Sequence, residues 1–575
     1  MKKKLTYLFL CVTLLASLFS GCSDKEEGEG SSKDGKNELL TVDVFAHNAN
    51  YQGIQSGWFG KIVKDKFNME LNIIAPNVAG GGETLFQTRS AAGNLGDLIT
   101  TKTENGKLKD LVDSGLLMNM TDLLKDKDIL KDYKSAINSI GDLAGKEGIW
   151  AVPESISNQT STTPSEGNEL VFGPYLRWDT YKKIGYPEID TLEDLLPVLE
   201  KMQKESPKSD KGNKTYAISL FKDWDDMMMN NAKQPTCLYG YDELGFVLAK
   251  ADGSDYQSII DSDSMYVRVL KFFYDANQMG IVDPESTTQN FDTLSNKYKE
   301  GQVLYSPWPW LGQTSYNTKE RKDEGKGYML APIDDMKVLS YGCNPDGNSK
   351  SVMAIGSEAK DPDRLAEFID WLYSPEGSEI NGQANGACGP EGLTWEMKDG
   401  KAVLTEYGKD ALYNPEAKVS KEWGGGIFKD GISTLNFRTL NITDIDPNTN
   451  EPYDFNLWES VIEDTKTKLD EDWREKMGAK TTKEYLINND KILVAPGTSY
   501  VKPEESSDIA TIRNQCKALV VEYSWKMIFS KNEKEYDKNL KDMQDKLDGL
   551  GYKDVLKVDM KNAKDQNAER VEASK

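Results

Sequence analysis

The sequence contains a single histidine, His47, and therefore lacks the residues needed for most kinds of enzyme active site. One histidine cannot build a zinc site of several histidines, and any catalytic triad would depend on that residue alone. The sequence also lacks GxSxG, HExxH and Walker motifs, and the glycine runs at 80–82 and 424–426 are not followed by the Lys-Ser/Thr pair of a phosphate loop. We therefore expect no enzyme, no bound metal and no cofactor.

One enzymatic alternative stays open, a glycoside hydrolase. Its chemistry requires only two carboxylates at a defined separation. The chain has 94 acidic residues, so two of them could form such a catalytic carboxylate pair.

Side chains that could bind a ligand lie in predicted loops. Trp308 and Trp310 alternate with the prolines at 307 and 309, which fix φ and remove backbone donors. We therefore predict a stiff loop in which neither tryptophan lies in a regular helix and in which both indoles are hard to bury together. The candidate site residues come from loops after strands, from one aromatic–carboxylate cluster and from a turn before a glycine run: Trp308, Trp310, Trp224, Asp225, Trp423, His47 and Asn48.

Length and charge narrow the class of protein further. The chain has 575 residues, which is more than one hydrophobic core usually supports, so we predict two lobes or domains. It carries 94 acidic and 70 basic residues, a formal net charge of −24. Such a surface repels nucleic acid and anionic lipid, and we expect no nucleic-acid partner.

The N-terminus has the pattern of an export signal. Three lysines at 2–4 precede an apolar stretch at 5–19 that is too short to span a membrane comfortably. The segment 18–22, which ends in Ser-Gly-Cys, resembles the lipobox of bacterial lipoproteins, in which the cysteine is acylated, for example with palmitate. We predict a signal peptide over 1–21, lipidation of Cys22 and a disordered polar tether over 22–37.

Periodic apolar residues predict the elements that position these side chains. Strands over 39–46, 69–75 and 97–101 alternate with helices over 58–67 and 83–92. Such alternation is typical of an α/β fold with helices on both faces of a sheet. Later amphipathic helices are predicted to begin at Thr191 and to cover 264–279, 361–373, 508–529 and 534–547.

Several segments, in order along the chain, carry a family resemblance. Residues 368–377 (FIDWLYSPEG) are the most specific, and 93–99, 148–153, 175–181 and 301–310 support them. Together they resemble the extracellular solute-binding proteins of ABC importers, in the carbohydrate-binding cluster that includes maltodextrin-type receptors. Within that cluster the chain is most similar to large lipoproteins of Gram-positive bacteria.

The resemblance implies a two-lobed, type II periplasmic-binding-protein-like fold with the ligand in a cleft between the lobes. We place lobe 1 at 38–152 plus about 330–440, and lobe 2 at 153–329 plus about 441–575. The implied function is to bind a carbohydrate, an oligosaccharide in our interpretation, and to deliver it to ABC transporter permease subunits. The protein would then be a monomer on the extracellular face of the cell membrane, held there by its lipid anchor. A ligand-sensing lipoprotein of the same fold is the alternative.

For a sugar ligand, the resemblance gives the aromatic candidates a specific role. Indole faces stack on the C–H-rich face of a pyranose, while carboxylates and amides bind its hydroxyls. Some relatives carry a calcium-type loop, but 209–214 here lacks the necessary carboxylates, and 446–451 is interpreted as a turn. Cys343 and Cys388 are either bridged or free buried thiols.

Overall fold

The first part of the chain alternates strands and helices, as the sequence predicts.

The computed structural model describes residues 38–49, 51–76, 82–414 and 416–575. The predicted signal peptide (1–21) and the predicted tether with Cys22 (22–37) lie outside the described residues. None of the described helices combines the length and apolarity needed to cross a membrane.

The strands of the described residues are β1 (Leu40–Ala46), β2 (Gly53–Ile54), β3 (Met69–Ile74), β4 (Leu98–Lys102), β5 (Val152–Glu154), β6 (Tyr175–Arg177), β7 (Tyr241–Leu244), β8 (Val247–Lys250), β9 (Tyr256–Ser258), β10 (Tyr305–Ser306), β11 (Tyr328–Leu330), β12 (Val338–Tyr341), β13 (Asn348–Ile355), β14 (Trp395–Lys398), β15 (Lys401–Leu404) and β16 (Ile492–Ala495).

The α-helices are α1 (Gly57–Phe67), α2 (Gly82–Ala91), α3 (Lys107–Asp113), α4 (Thr121–Leu124), α5 (Asp128–Asp132), α6 (Lys134–Ser139), α7 (Gly141–Ala144), α8 (Trp178–Lys183), α9 (Leu195–Glu205), α10 (Asn230–Lys233), α11 (Met265–Gln278), α12 (Phe291–Lys299), α13 (Pro309–Tyr316), α14 (Lys319–Asp323), α15 (Pro362–Leu372), α16 (Pro375–Asn381), α17 (Glu406–Ala411), α18 (Glu459–Asp464), α19 (Lys468–Met477), α20 (Thr482–Asn488), α21 (Ser507–Ile528), α22 (Glu533–Leu550) and α23 (Tyr552–Ala573).

A six-stranded sheet with the order β2-β3-β1-β4-β13-β5 organises the first part of the molecule. β1 pairs in parallel with β3 and β4, whereas β13 runs antiparallel to β4 and β5. Both faces of β1 are buried: Val42 and Val44 pack with α1 and α15, and Phe45 packs with α3 on the other face. The prediction of an α/β sheet with helices on both faces is confirmed.

A second core, separate from this sheet, fills the other half of the molecule. It contains buried residues from 170–339 and 469–555, with apolar positions of α9, α11, α21 and α22 packed together. The chain passes between the cores at 157–169 and 340–351, and again between Tyr453 and Leu469. The fold is therefore a two-lobed α/β fold.

Two local predictions were wrong. Pro309 is the first residue of α13 and Trp308 is its N-cap, so Trp310 lies in the first helical turn. Proline is accommodated there because the first helical N–H has no partner inside the helix. The helix predicted to begin at Thr191 begins at Leu195 instead, since Asp194 accepts hydrogen bonds from the backbone and hydroxyl of Thr191 and holds a turn.

Two open points of the sequence are settled by the structure. The four described cysteines, Cys237, Cys343, Cys388 and Cys516, are buried free thiols, so Cys343 and Cys388 form no bridge. Residues 446–451 form a turn, in which the Asp446 carboxylate accepts a hydrogen bond from the Asn448 backbone N–H at 2.7 Å.

Candidate functional site

Two tryptophans stand side by side on the surface of the second core. Trp224 is 43% exposed and Trp310 is 39% exposed, and their ring centroids are 5.8 Å apart with an interplanar angle of 36°. Clusters of large exposed apolar side chains are unusual on the surface of a protein. We call Trp224, Trp310 and the two rings beneath them, Trp308 and Phe291, the aromatic platform.

One buried and one half-buried ring support the exposed indoles. Phe291, the first residue of α12, stacks on Trp224 with centroids 4.4 Å apart. Trp308 is only 4% exposed and lies 5.0 Å from Trp310. Its indole N–H donates to the Gln234 amide oxygen at 3.2 Å, which fixes the ring from below. The platform is therefore rigid before any ligand arrives, which lowers the ordering cost of binding.

Asp225 is beside the platform but is engaged internally. One carboxylate oxygen accepts the indole N–H of Trp525 at 2.7 Å, and the other accepts the backbone N–H of Asn230 at 2.8 Å. Burial raises the pKa of the Asp225 carboxyl. The side chain thus ties the Trp224 loop to α10 and α21. The neighbouring Asp226 is more exposed and pairs with Lys517 at 2.9 Å.

The remaining candidates lie on the first core. His47 follows β1 at the carboxyl end of the six-stranded sheet, where its backbone N–H donates to the Thr100 carbonyl at 3.3 Å. Asn48 is exposed, and its carbonyl accepts the Asn436 side-chain N–H at 2.6 Å. Trp423 ends a short 3-10 helix and packs against the first core. The structure therefore brings Trp224, Asp225, Trp308 and Trp310 together, and it places His47, Asn48 and Trp423 on the other core.

A cavity that the sequence did not indicate lies between the two halves. Its volume is about 370 Å³, and the first core contributes Glu104 and Lys350 to its lining. The second half contributes the β7–β8 turn, the segment at 500–505 and three side chains of α23. These polar residues are hundreds of positions apart in the chain and follow no local motif, so no sequence signal could have grouped them.

Across the described ranges, no cluster of three or more His, Cys, Asp or Glu side chains is arranged to hold a metal ion.

Two α/β lobes with a cavity between their cores are an arrangement suited to capturing a solute. Residues 57–379, more than half of the chain, match the family of bacterial extracellular solute-binding proteins. The chain belongs to this family. A comparison with curated protein sequences finds no match.

Solved structures share the fold at low sequence identity. An HMO-binding, ABC-transporter-associated solute-binding protein from Bifidobacterium longum infantis has a TM-score of 0.59 and 14% identity, over 92% of this chain and 99% of that chain. The Streptococcus pneumoniae substrate-binding protein FusA in complex with kestose has a TM-score of 0.55 and 15% identity, over 92% and 99%. The N-glycan transport protein NgtS from Streptococcus pneumoniae has a TM-score of 0.54 and 13% identity, over 92% and 100%.

Proposed function

We propose that this protein binds an extracellular oligosaccharide and delivers it to the permease subunits of an ABC importer. The observation that carries the proposal is the aromatic platform, where two exposed indoles lie side by side on a base formed by the buried Trp308 and the half-buried Phe291. Family membership supports a binding role. The HMO-binding, kestose-bound and N-glycan transport proteins that share the fold support a glycan as the ligand.

The chemistry of a pyranose suits this surface. The polarised C–H groups on one face of the ring contact the negative π-face of an indole favourably. The hydroxyl belt around the ring requires polar partners, and the Asp226–Lys517 pair, adjacent in the chain to Trp224, supplies an acceptor and a donor. The adjacent indoles offer a broader surface than one ring, which favours an oligosaccharide over a single sugar.

The proposal includes how the protein is organised and attached. Lobe 1 is assigned to 38–152 plus about 330–440 and lobe 2 to 153–329 plus about 441–575, with the ligand cleft between them. Cys22 carries the lipid anchor that holds a monomer on the extracellular face of the membrane. The protein releases its ligand unchanged, because a receptor for an importer has no need of catalysis.

A thermal-shift screen against neutral and acidic mono- and oligosaccharides tests the proposal, because a ligand that binds only the folded state raises its melting temperature. We expect at least one oligosaccharide to raise the melting temperature, and chromatography of the mixture to return that sugar intact. No shift with any sugar would contradict carbohydrate binding. Steady release of shorter products would instead indicate a glycoside hydrolase.

A further inference from the structure

One short helix connects the two segments that carry the exposed indoles. Helix α10 is followed directly by a 3-10 helix that begins at Gln234. Asn230, the first residue of α10, is bonded to the segment of Trp224, and Gln234 is bonded to the segment of Trp310. The two indoles are therefore placed against the same support, although they come from different parts of the chain.

Four consecutive hydrogen bonds form a relay along this support. The Trp308 indole N–H donates to the Gln234 amide oxygen at 3.2 Å, and the Gln234 amide N–H donates to the Asn230 side-chain oxygen at 2.8 Å. The Asn230 backbone N–H donates to one Asp225 carboxylate oxygen at 2.8 Å, and the other oxygen accepts the Trp525 indole N–H at 2.7 Å. The relay thus runs from the ring below one exposed indole to the residue that follows the other in the chain.

The chemistry of the side chains fixes the direction of the relay. An indole N–H can only donate, so the Gln234 oxygen must face Trp308 and its NH2 group must face an acceptor. The Asn230 side-chain oxygen is that acceptor. Gln234 is 6% exposed and Asn230 is 7% exposed. Water therefore has little access to these bonds, and the Gln234 amide is held in one orientation.

The protein interior anchors the helix that carries the relay. The backbone N–H of Met229, the residue before α10, donates to the Tyr266 hydroxyl at 2.9 Å. That hydroxyl lies 2.8 Å from the Ser524 hydroxyl, and both side chains are fully buried. On α10 itself, the Asn231 side-chain N–H donates to the Phe221 carbonyl at 2.5 Å. These bonds fix α10 relative to α11, α21 and the loop that carries Trp224.

We propose that Gln234 is a positioning residue of the aromatic platform: through Trp308 it holds Trp310 in the orientation, relative to Trp224, that stacks on the ligand. The proposal rests on the carbohydrate function proposed above. A ring that is held before the ligand arrives adds little ordering cost to binding, whereas a ring that turns freely must be immobilised by the ligand. Loss of the relay therefore weakens binding without removing any contact between protein and sugar.

The test uses the mature protein and an oligosaccharide identified by the thermal-shift screen, with affinity measured by calorimetry. We expect Gln234→Leu, which removes both relay bonds of this side chain, to weaken binding by about three- to tenfold. Asn230→Ala removes only the acceptor for Gln234 and should weaken binding by about two- to fourfold. Gln257→Leu is the matched control, because this glutamine also links elements of the second core but bonds to Asp255 and the Met265 backbone. It should bind within about twofold of wild type.

A double-mutant cycle separates positioning from a general loss of structure. If Gln234 acts through the indoles, Gln234→Leu should change affinity by less than about twofold when it is added to Trp310→Ala. A loss of the same size in both backgrounds would show that Gln234 acts by another route and would overturn the positioning role. Melting temperatures of all variants show whether a loss of affinity comes from unfolding, and Asn230→Ala carries the test if Gln234→Leu does not fold.

The outcomes also separate this role from the carbohydrate function. If a sugar binds wild type but Gln234→Leu and Asn230→Ala bind it like the control, the positioning role is wrong and the carbohydrate function stands. If Trp310→Ala binds like wild type, the positioning role is wrong together with the platform. If no sugar in the screen binds, the carbohydrate function and the role of Gln234 are both overturned.

Discussion

The four aromatic residues of the platform differ in exposure, and this difference separates binding from packing. Trp310 is 39% exposed and covers its neighbours from the solvent side, whereas Trp308 is buried beneath it. In the proposed site, truncation of an exposed ring removes a ligand contact and little packing. Truncation of a buried ring leaves a cavity in the core.

We therefore predict that Trp310→Ala weakens oligosaccharide binding by about thirtyfold, equivalent to about 2 kcal/mol for one aromatic anchor. Its melting temperature should stay close to that of wild type. Trp308→Ala should instead lose about 3–5 kcal/mol of unfolding free energy. Calorimetry and denaturant unfolding measure the two effects. Tyr413→Ala, which removes an exposed ring elsewhere, is the control and should leave affinity unchanged. Wild-type affinity in Trp310→Ala would remove the platform from the site.

A buried carboxyl group on α16 makes stability depend on pH. Burial raises the pKa of Glu379 well above its ordinary value, and the negative charges of Asp446 and Asp454 raise the pKa further. The folded state therefore holds this proton more tightly than the unfolded state does, so its contribution to stability is present below the unfolded-state pKa and is lost as pH rises through the folded-state pKa.

Glu379→Gln imitates the protonated acid at every pH, and we predict that it stabilises the protein at pH 7 by on the order of 1 kcal/mol. Near pH 4 the variant and wild type should be equally stable. Urea unfolding at a series of pH values measures the difference. Glu376→Gln, on the same helix but half-exposed and paired with Lys66, should show no such gain. A pH-independent difference for Glu379→Gln would contradict the buried-proton explanation.

At the scale of elements, capping side chains determine where the long helices begin. Ser264 precedes α11 and its hydroxyl oxygen accepts the Val267 backbone N–H at 3.2 Å, as is usual for an N-cap serine. The same hydroxyl donates to the Ile259 carbonyl at 3.0 Å in a fully buried position. One side chain thus satisfies two backbone groups that water does not reach.

Ser264→Ala should lower the unfolding free energy by about 1–2 kcal/mol, the cost of losing an N-cap. Sugar affinity should not change, because α11 packs in the interior of the second core. Chemical unfolding and calorimetry check both statements. Ser262→Ala is the matched substitution two residues earlier, at an exposed position outside the helix, and should cost less than about 0.5 kcal/mol. An equal loss in the two variants would show that the cap is not the cause.

At the scale of the whole molecule, the segments between the cores are few and are linked by polar contacts. The Asp444 carboxylate accepts hydrogen bonds from the Ser157 hydroxyl and the Asn158 backbone N–H, both at 2.6 Å. Pro164 and Gly342, in two different crossing segments, form an isolated antiparallel bridge. Such a narrow connection favours rotation of one half against the other about a hinge.

We predict that saturating oligosaccharide closes the two halves and reduces the radius of gyration measured by small-angle scattering. The sugar should contact both halves, and these contacts hold the closed arrangement. Scattering with a sugar that causes no thermal shift is the control. An unchanged profile at saturation proven by calorimetry would contradict hinge closure.

The proposed attachment to the membrane is also a property of the whole chain, and it rests on Cys22. We predict that Cys22→Ala abolishes acylation and releases the protein from the membrane fraction into the medium. The variant has no cysteine to acylate, so the protein left after removal of the signal peptide carries no lipid anchor. Cell fractionation and mass spectrometry of the N-terminal peptide measure the result. Cys388→Ala, a change of a buried thiol, should leave attachment intact. Membrane retention of the Cys22 variant, with no acyl group on the wild-type cysteine, would disprove lipidation.

The sequence by itself determined the order of elements and the family resemblance. The strand over 39–46, the helix over 58–67 and the helix over 361–373 agree with β1, α1 and α15 within one residue at each end. These features depend on local patterns of apolar residues, caps and turns, and neighbouring residues in the chain carry that information. The same local patterns failed at Pro309, where proline is compatible both with a stiff loop and with the first turn of a helix.

Only the tertiary structure decided which candidate residues meet. Phe291 supports Trp224 although 66 residues separate them in the chain, and the cavity collects side chains from Glu104 to Gln566. The sequence also proposed Trp308 and Trp310 as equivalent candidates, but packing buries one and exposes the other. Burial and long-range proximity depend on how the two cores assemble, and no pattern within a short window of sequence records that assembly.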